Sequence, residues 1–169
     1  MFVFGHVGLG RLIVGPRGRA LPVVPLIIGT LLPDIIDKPA YYVHLWDYIS
    51  CTRTFGHTGI LLAILGGVAL AKRSHAWTGV ALGVATHLLF DGLLDLQSSQ
   101  PGSALIAATW PFLSAHFAVL EMTPLQQLRS VGRIDILITE VIGMALLWRE
   151  YKHRTTRAST VSPTPPRTG

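Results

Sequence analysis

Five stretches of this 169-residue chain, 2–14, 21–36, 59–71, 76–94 and 134–148, carry almost no Lys or Glu, yet His and Asp side chains are set into them or at their ends. A surface helix of a soluble bundle keeps a charged face toward water, and these segments have none to offer. A weaker sixth stretch covers 104–120. Across the chain half the residues are hydrophobic, 14% are charged and mean hydropathy is +0.48; an ordinary soluble domain carries roughly 25% charge. The pattern predicts an all-α fold, a compact bundle of about five to six hydrophobic, mostly membrane-embedded helices. Most of the segments are shorter than the ~20 residues that cross a bilayer upright.

The formal charge of +5 is unevenly placed. From Arg149 onward five Lys/Arg face Glu150 alone, so the basicity belongs to the C-terminal segment and argues against a nucleic-acid-binding body. The organisation predicted is one helical domain over 1–148 and a basic, Ser/Thr/Pro-rich tail over 149–169, disordered from Tyr151. Cys51 is the single cysteine, which excludes an intrachain disulfide. The opening MFVFGHVGLG lacks a basic leader and a small-residue cleavage site, so it is expected to belong to the mature fold. Its glycines do not form the dinucleotide-binding pattern and follow no strand. Gly79 and Gly83 make a small-xxx-small pair, suited to close helix packing. Leu32-Pro33-Asp34 reads as a helix ending in a turn, and an aromatic loop with Tyr41, Tyr42, Trp46 and Tyr48 follows between Asp37 and Thr54.

Lys and Arg in short loops prefer the cytoplasmic side of a membrane. Threading the chain with Arg11, Arg17 and Arg19, then Lys72 and Arg73, then 149–157 inside brings the other helix ends together outside. Those ends carry His6, Asp34, Asp37, His57, His87, Asp91 and Asp95, with Glu140 near the start of the last helix. Arg129 and Arg133 do not fit this threading. The location it implies is the cell (inner) membrane, with the basic tail cytoplasmic and the His/Asp cluster near the opposite face.

His87 and Asp91 lie four residues apart and so share a helical face, within reach of one ion. An Asp inside an apolar helix costs a few kcal/mol and normally has a partner or a task. Asp34 and Asp37 add carboxylates at i and i+3, and carboxylate beside imidazole suits zinc, manganese or magnesium, as one or two ions. Arg53, four residues before His57, offers a guanidinium whose fork matches phosphate oxygens. His6 reaches the same face if the first helix runs beside the others. Glu140 is a candidate ligand or an interhelical hydrogen-bond partner; Asp135, five residues away, cannot share its face. His44, His75, His116 and His153 have loop-like or tail surroundings. No Ser sits in a nucleophile elbow and Cys51 lacks an evident partner. Hydrolysis by this chain would therefore use metal-bound water, with Asp37 or Asp95 taking the proton.

Taken in order, His6, Leu31-Leu32-Pro33-Asp34, Arg53-x-x-x-His57-Thr58, His87-x-x-x-Asp91 and Trp110-Pro111-Phe112 resemble the inner-membrane-associated, metal-dependent hydrolases of the YdjM-like (LexA-binding) group. The resemblance spans roughly residues 1 to 148. It implies a helical metallohydrolase with His6, Asp34, His57, His87 and Asp91 as ligands, and phosphoester substrates through a distant similarity to zinc-dependent phospholipase C and single-strand nucleases. The family motif usually continues His-Ser, where this chain has His57-Thr58 and keeps a hydroxyl. No residue here bears on LexA.

The leading expectation is hydrolysis of a phosphate ester, a phospholipid included, with Arg53 holding the phosphate. The alternatives are a transporter or channel that relays metal ions or protons through the same His and Asp residues, and a non-catalytic membrane scaffold whose metal is structural. Clustering at one face favours the enzyme; ionisable residues strung through the full depth would favour transport.

Overall fold

The computed structural model describes residues 3–18, 21–42, 52–96, 102–117 and 134–160. These form six α-helices and no strand: α1 (Val3–Gly18), α2 (Val23–Tyr42), α3 (Gly59–Lys72), α4 (His75–Asp95), α5 (Ser103–Thr109) and α6 (Ile134–Thr160), with a 3-10 turn at Phe55–His57. The all-α class expected from the sequence is what the chain adopts.

Glycine sets the packing. A methyl group at Gly29 would collide with the backbone of Val80, and one at Gly83 with the backbone of Leu26, Gly29 and Thr30. α2 and α4 therefore lie backbone against backbone, side by side and parallel, with Gly79 facing Pro25 one turn earlier. α1 and α6 make the second such pair, through Gly8 and Gly143. Such contact needs no large side chains, which suits an association driven by van der Waals packing. The apolar core is correspondingly small: Leu65, Ala81 and Val84, surrounded by Leu32, Leu61, Leu62, Val80 and Leu88.

The connections are specific. The Thr58 hydroxyl accepts from Leu61 N at 3.2 Å and starts α3. Arg73, in the left-handed region at φ 45°, ends α3 and reverses the chain into α4. At the far end of α4, Asp95 accepts from the N–H groups of Gly102 (2.7 Å) and Ala104 (3.1 Å), so its carboxylate caps the short α5.

Three expectations change. The break at Pro33 is absent, since α2 runs unbroken through Pro33 and Pro39. Pro33 has no N–H to give to Gly29, but Gly29 is pressed onto α4, and that packing holds the helix across the lost bond. The disorder expected from Tyr151 gives way to helix, because α6 continues to Thr160. Glu150 is drawn in by an ion pair with the buried Arg11 of α1, and the Lys152 ammonium lies 5.7 Å from the Trp148 ring centroid. The sixth apolar stretch yields only the seven-residue α5 followed by turns to Phe117, too short to cross a bilayer. Arg19, Trp46, Tyr48, Cys51, Arg129, Arg133 and 161–169 lie outside the described residues.

Burial is inverted relative to a soluble domain. His6, Arg11, Thr30, Asp37, His57, Thr86, His87, Asp91 and Asp95 are buried, while Leu12, Val24, Ile35, Ile64, Leu70 and Val141 are each more than half exposed. Among the described residues one helix, α4, is long and apolar enough to cross a membrane; α3 is apolar but shorter.

Gly83→Leu should force α2 and α4 apart and lower the melting temperature of the detergent-solubilised protein, by a destabilisation of about 1–3 kcal/mol or more. Gly67→Ala, whose new methyl meets nothing within 4 Å, should leave it unchanged, and equal effects of the two would contradict the packing described.

Candidate metal centre

Five segments meet at one end of the bundle: the start of α1, the later turns of α2 and α4, the 3-10 turn, and the cap of α5. The 3-10 turn is held by Asp37, which is 1% exposed. Its carboxylate accepts from Thr54 N (2.6 Å), Thr54 Oγ1 (2.9 Å), Gly56 N (2.8 Å) and His57 Nδ1 (2.7 Å). Gly56 is required there, because a side chain would run into the Pro33 carbonyl and the Asp37 carboxylate. Burial alone would raise the pKa of Asp37, but the hydrogen bonds from His57, Gly56 and Thr54 outweigh it and hold the group below the ordinary carboxylate value. Asp37 is thus an anion that points His57.

His87 is oriented from the other side. Its Nδ1 lies 2.6 Å from the carbonyl oxygen of Thr30 in α2. A carbonyl can only accept, so Nδ1 of His87 carries the proton; against the Asp37 carboxylate, so does Nδ1 of His57. The two Nε2 atoms left over from these bonds face one another at 3.2 Å. A proton carried by one of them and donated to the other, or a metal ion beside both, would satisfy this contact.

The neighbours are donors of the matching kind. His57 Nε2 is 3.8 Å from Asp34 Oδ1 and 3.6 Å from Asp91 Oδ2; His87 Nε2 is 4.0 Å and 3.9 Å from the same two atoms. Ligands bound tetrahedrally to zinc at about 2.0–2.1 Å stand roughly 3.3–3.4 Å apart, so small movements inward would close this set on an ion. Beside it, His6 Nε2 is 3.5 Å from Asp91 Oδ1, and the His6 and His87 ring centroids are 4.3 Å apart. His6 with His87 and Asp91, and Asp34 with His57 and His87, form two groups able to hold a metal ion. Within each, the donor atoms lie within 4.8 Å of one another. Asp91 offers one oxygen to each side.

His6, Asp34, His57, His87 and Asp91, the five ligands that the family resemblance implies, are brought together. Glu140 is not. Its two oxygens accept from Phe4 N (3.0 Å) and Gly5 N (2.9 Å), closing the first turn of α1. The carboxylate is thereby committed to fixing the helix that carries His6, and the hydrogen-bonding alternative describes it.

Asp37 and Asp95 also differ from the roles expected of them, and Arg53 is held in place. Arg53 is clamped, Nε to Asp91 Oδ2 at 2.9 Å and Nη1 to Asp95 Oδ1 at 3.0 Å and Ser103 Oγ at 2.9 Å. Burial would lower its pKa, but Asp91 and then Asp95 raise it, so the charge is permanent. Asp95 takes, besides Arg53, hydrogen bonds from Gly102 N, Ala104 N and Ser103 Oγ (2.7 Å). With lone pairs so fully used, Asp37 and Asp95 are placed as positioning residues rather than proton acceptors. Lys38 reaches Asp34 Oδ2 at 2.6 Å, leaving Oδ1 toward the histidines. Thr30, Thr54, Gly56 and Ser103 were missed in the sequence; only Thr54 and Gly56 carried a signal, as neighbours inside the Arg53–His57 motif.

No known protein family, characterised protein or solved structure matches the chain.

Asp37→Asn replaces an acceptor by a donor behind His57 and should weaken zinc binding about 10- to 100-fold while the helical circular dichroism is retained. Competition against a chromophoric chelator measures this, and an unchanged affinity would remove Asp37 from the support of the centre.

Proposed function

We propose that this chain is a membrane-bound, metal-dependent hydrolase acting on a phosphate ester, with a phospholipid as the best-fitting substrate class. The observation that carries the reading is the gathering of the His57 and His87 Nε2 atoms, 3.2 Å apart, with Asp34, Asp91 and His6 in two groups that could hold a metal ion. Zinc is the ion favoured, because imidazole nitrogen with carboxylate oxygen is its usual donor set in catalytic sites, with manganese or magnesium as less fitting occupants. Bound there, such an ion polarises a phosphoryl oxygen and lowers the pKa of a coordinated water to about 7.

The chain's own groups do the rest. Asp37 and the Thr30 carbonyl hold the two rings in the tautomer that leaves Nε2 for an ion. Arg53 keeps a fixed positive charge against Asp91, at the rim where the oxygens of a phosphate would arrive. Ser103 and Asp95 prevent that guanidinium from turning away.

Embedding in a membrane is supported by the burial pattern as a whole. Ile35, Leu89, Leu93, Leu105 and Val141 face outward while His6, His57, His87, Asp37, Asp91 and Asp95 are buried, an arrangement that lipid stabilises and water does not. A lipid substrate is supported by an aromatic cluster beside the centre. Phe55, two residues before His57, packs edge-on to Trp110 (5.5 Å) and Phe117 (5.2 Å), and Phe112 and Leu113 beyond them are 82% and 78% exposed. Ionisable groups gathered at one end favour hydrolysis over transport.

The test is turnover by the detergent-purified protein of p-nitrophenyl phosphate, its diester, phosphatidic acid and phosphatidylcholine, with bound metal measured in the same sample. Wild type is expected to hold zinc and hydrolyse at least one of these, to lose activity on chelation and to regain it with zinc. Asp91→Asn should lose both metal and turnover. Arg53→Lys should keep the metal and lose about a hundredfold in turnover. A purified protein without metal sinks the proposal, and metal without turnover of any ester leaves a structural ion.

A further inference from the structure

The second half of α6 has no part in the metal centre, yet its side chains are arranged in bands. Leu137, Ile138, Val141, Ile142 and Met144 are 44–65% exposed in the first half of the helix. Trp148 and Tyr151, 60% and 61% exposed with ring centroids 6.0 Å apart, form the next band. Arg149, Lys152 and His153 are exposed from there on, and Arg154 and Arg157 follow in the same helix. The one acidic residue of this stretch, Glu150, is turned inward to Arg11.

Apolar side chains, then amphipathic aromatics, then cations is the order met on passing from hydrocarbon through the headgroup layer into water. The bands lie along one continuous helix, and Trp148–Thr160 spans about 18 Å, enough to pass through the headgroups. α6 runs parallel to α1, so its basic half leaves the bundle at the end opposite His6. The inward ion pair of Glu150 matters because it takes the only negative charge off the outward face.

We infer that the basic half of α6 is a docking surface for anionic phospholipid headgroups on the membrane face opposite the metal centre. It rests on reading the chain as a membrane protein and adds a lipid specificity that the hydrolase reading does not contain. The attraction is electrostatic: each basic side chain near an anionic bilayer contributes about a fivefold shift in the equilibrium, and the shift fades as salt shortens the Debye length.

The test uses the full chain in proteoliposomes, with a fluorophore on Thr156→Cys in a Cys51→Ser background, and quenching by the neutral quencher acrylamide as the readout. Vesicles of phosphatidylcholine alone are compared with phosphatidylcholine mixed with phosphatidylglycerol, each at low and high salt. The label is expected to be shielded only with phosphatidylglycerol at low salt, and to lose that shielding at high salt or in the variant R149E/K152E/R157E. Salt serves as a control that needs no mutation, so a poorly folded variant does not decide the outcome. Equal quenching in both lipids, or shielding that salt does not reverse, overturns the inference. Failure of the membrane reading shows separately, as protein that alkaline carbonate strips from vesicles of either composition.

Discussion

Two imidazole rings whose proton-bearing nitrogens are both claimed from behind leave their other nitrogens aimed at each other, and much of the molecule is arranged to keep them so. For His87 the claim is made by a backbone carbonyl of α2, for His57 by a buried carboxylate that also gathers the backbone of the turn. Neither ring can rotate to relieve the opposition without abandoning a hydrogen bond in a buried place, which costs about 1–3 kcal/mol. A shared proton or a metal ion would satisfy both nitrogens, and the carboxylates nearest to hand for an ion are Asp34 and Asp91. The helix pairs built on glycine serve this end, because backbones in contact allow short side chains from α1, α2 and α4 to meet.

The same arrangement explains why so many polar groups are buried while large apolar side chains lie outside. A centre of three histidines and two aspartates, with Arg53, Asp37 and Asp95 around it, fills the volume where a soluble bundle of this size would place leucine. Apolar area is therefore displaced to the surface, where α4 has the length and composition of a membrane span. In lipid that displacement carries little cost.

The all-helical class and the close approach at Gly79 and Gly83 were legible in the chain, because hydropathy and small-residue spacing act locally. The meeting of His6, Asp34, His57, His87 and Asp91 was legible only by threading basic loops to one side and by a resemblance, both of which carry long-range information. What could not be read was how each polar group spends its hydrogen bonds. Asp37 and Asp95 look like free bases in a sequence, and their occupation by Thr54, Gly56, Gly102 and Ala104 depends on backbone geometry. Pro33 misled for the same reason: propensity marks a break, and packing against α4 overrides it. Glu140 was drawn toward a metal by its depth, whereas the vacant N–H groups of α1 are what it meets first.

Parallel packing of α2 and α4 has a topological effect. Two neighbouring parallel helices cannot be joined by a tight turn, so the chain between them must travel back along the bundle, and α3 makes that return. Arg53, Gly56 and His57 ride on this crossover. The five donors thus come from positions as far apart as 6 and 91, and only His87 and Asp91 are neighbours in the chain. An unfolded chain has nothing resembling this site, so affinity for an ion is inseparable from the tertiary fold. By mass action each tenfold rise in free ion above its dissociation constant would add about 1.4 kcal/mol to the stability of the whole bundle, and ion supply would then help to decide how much of the chain stays folded.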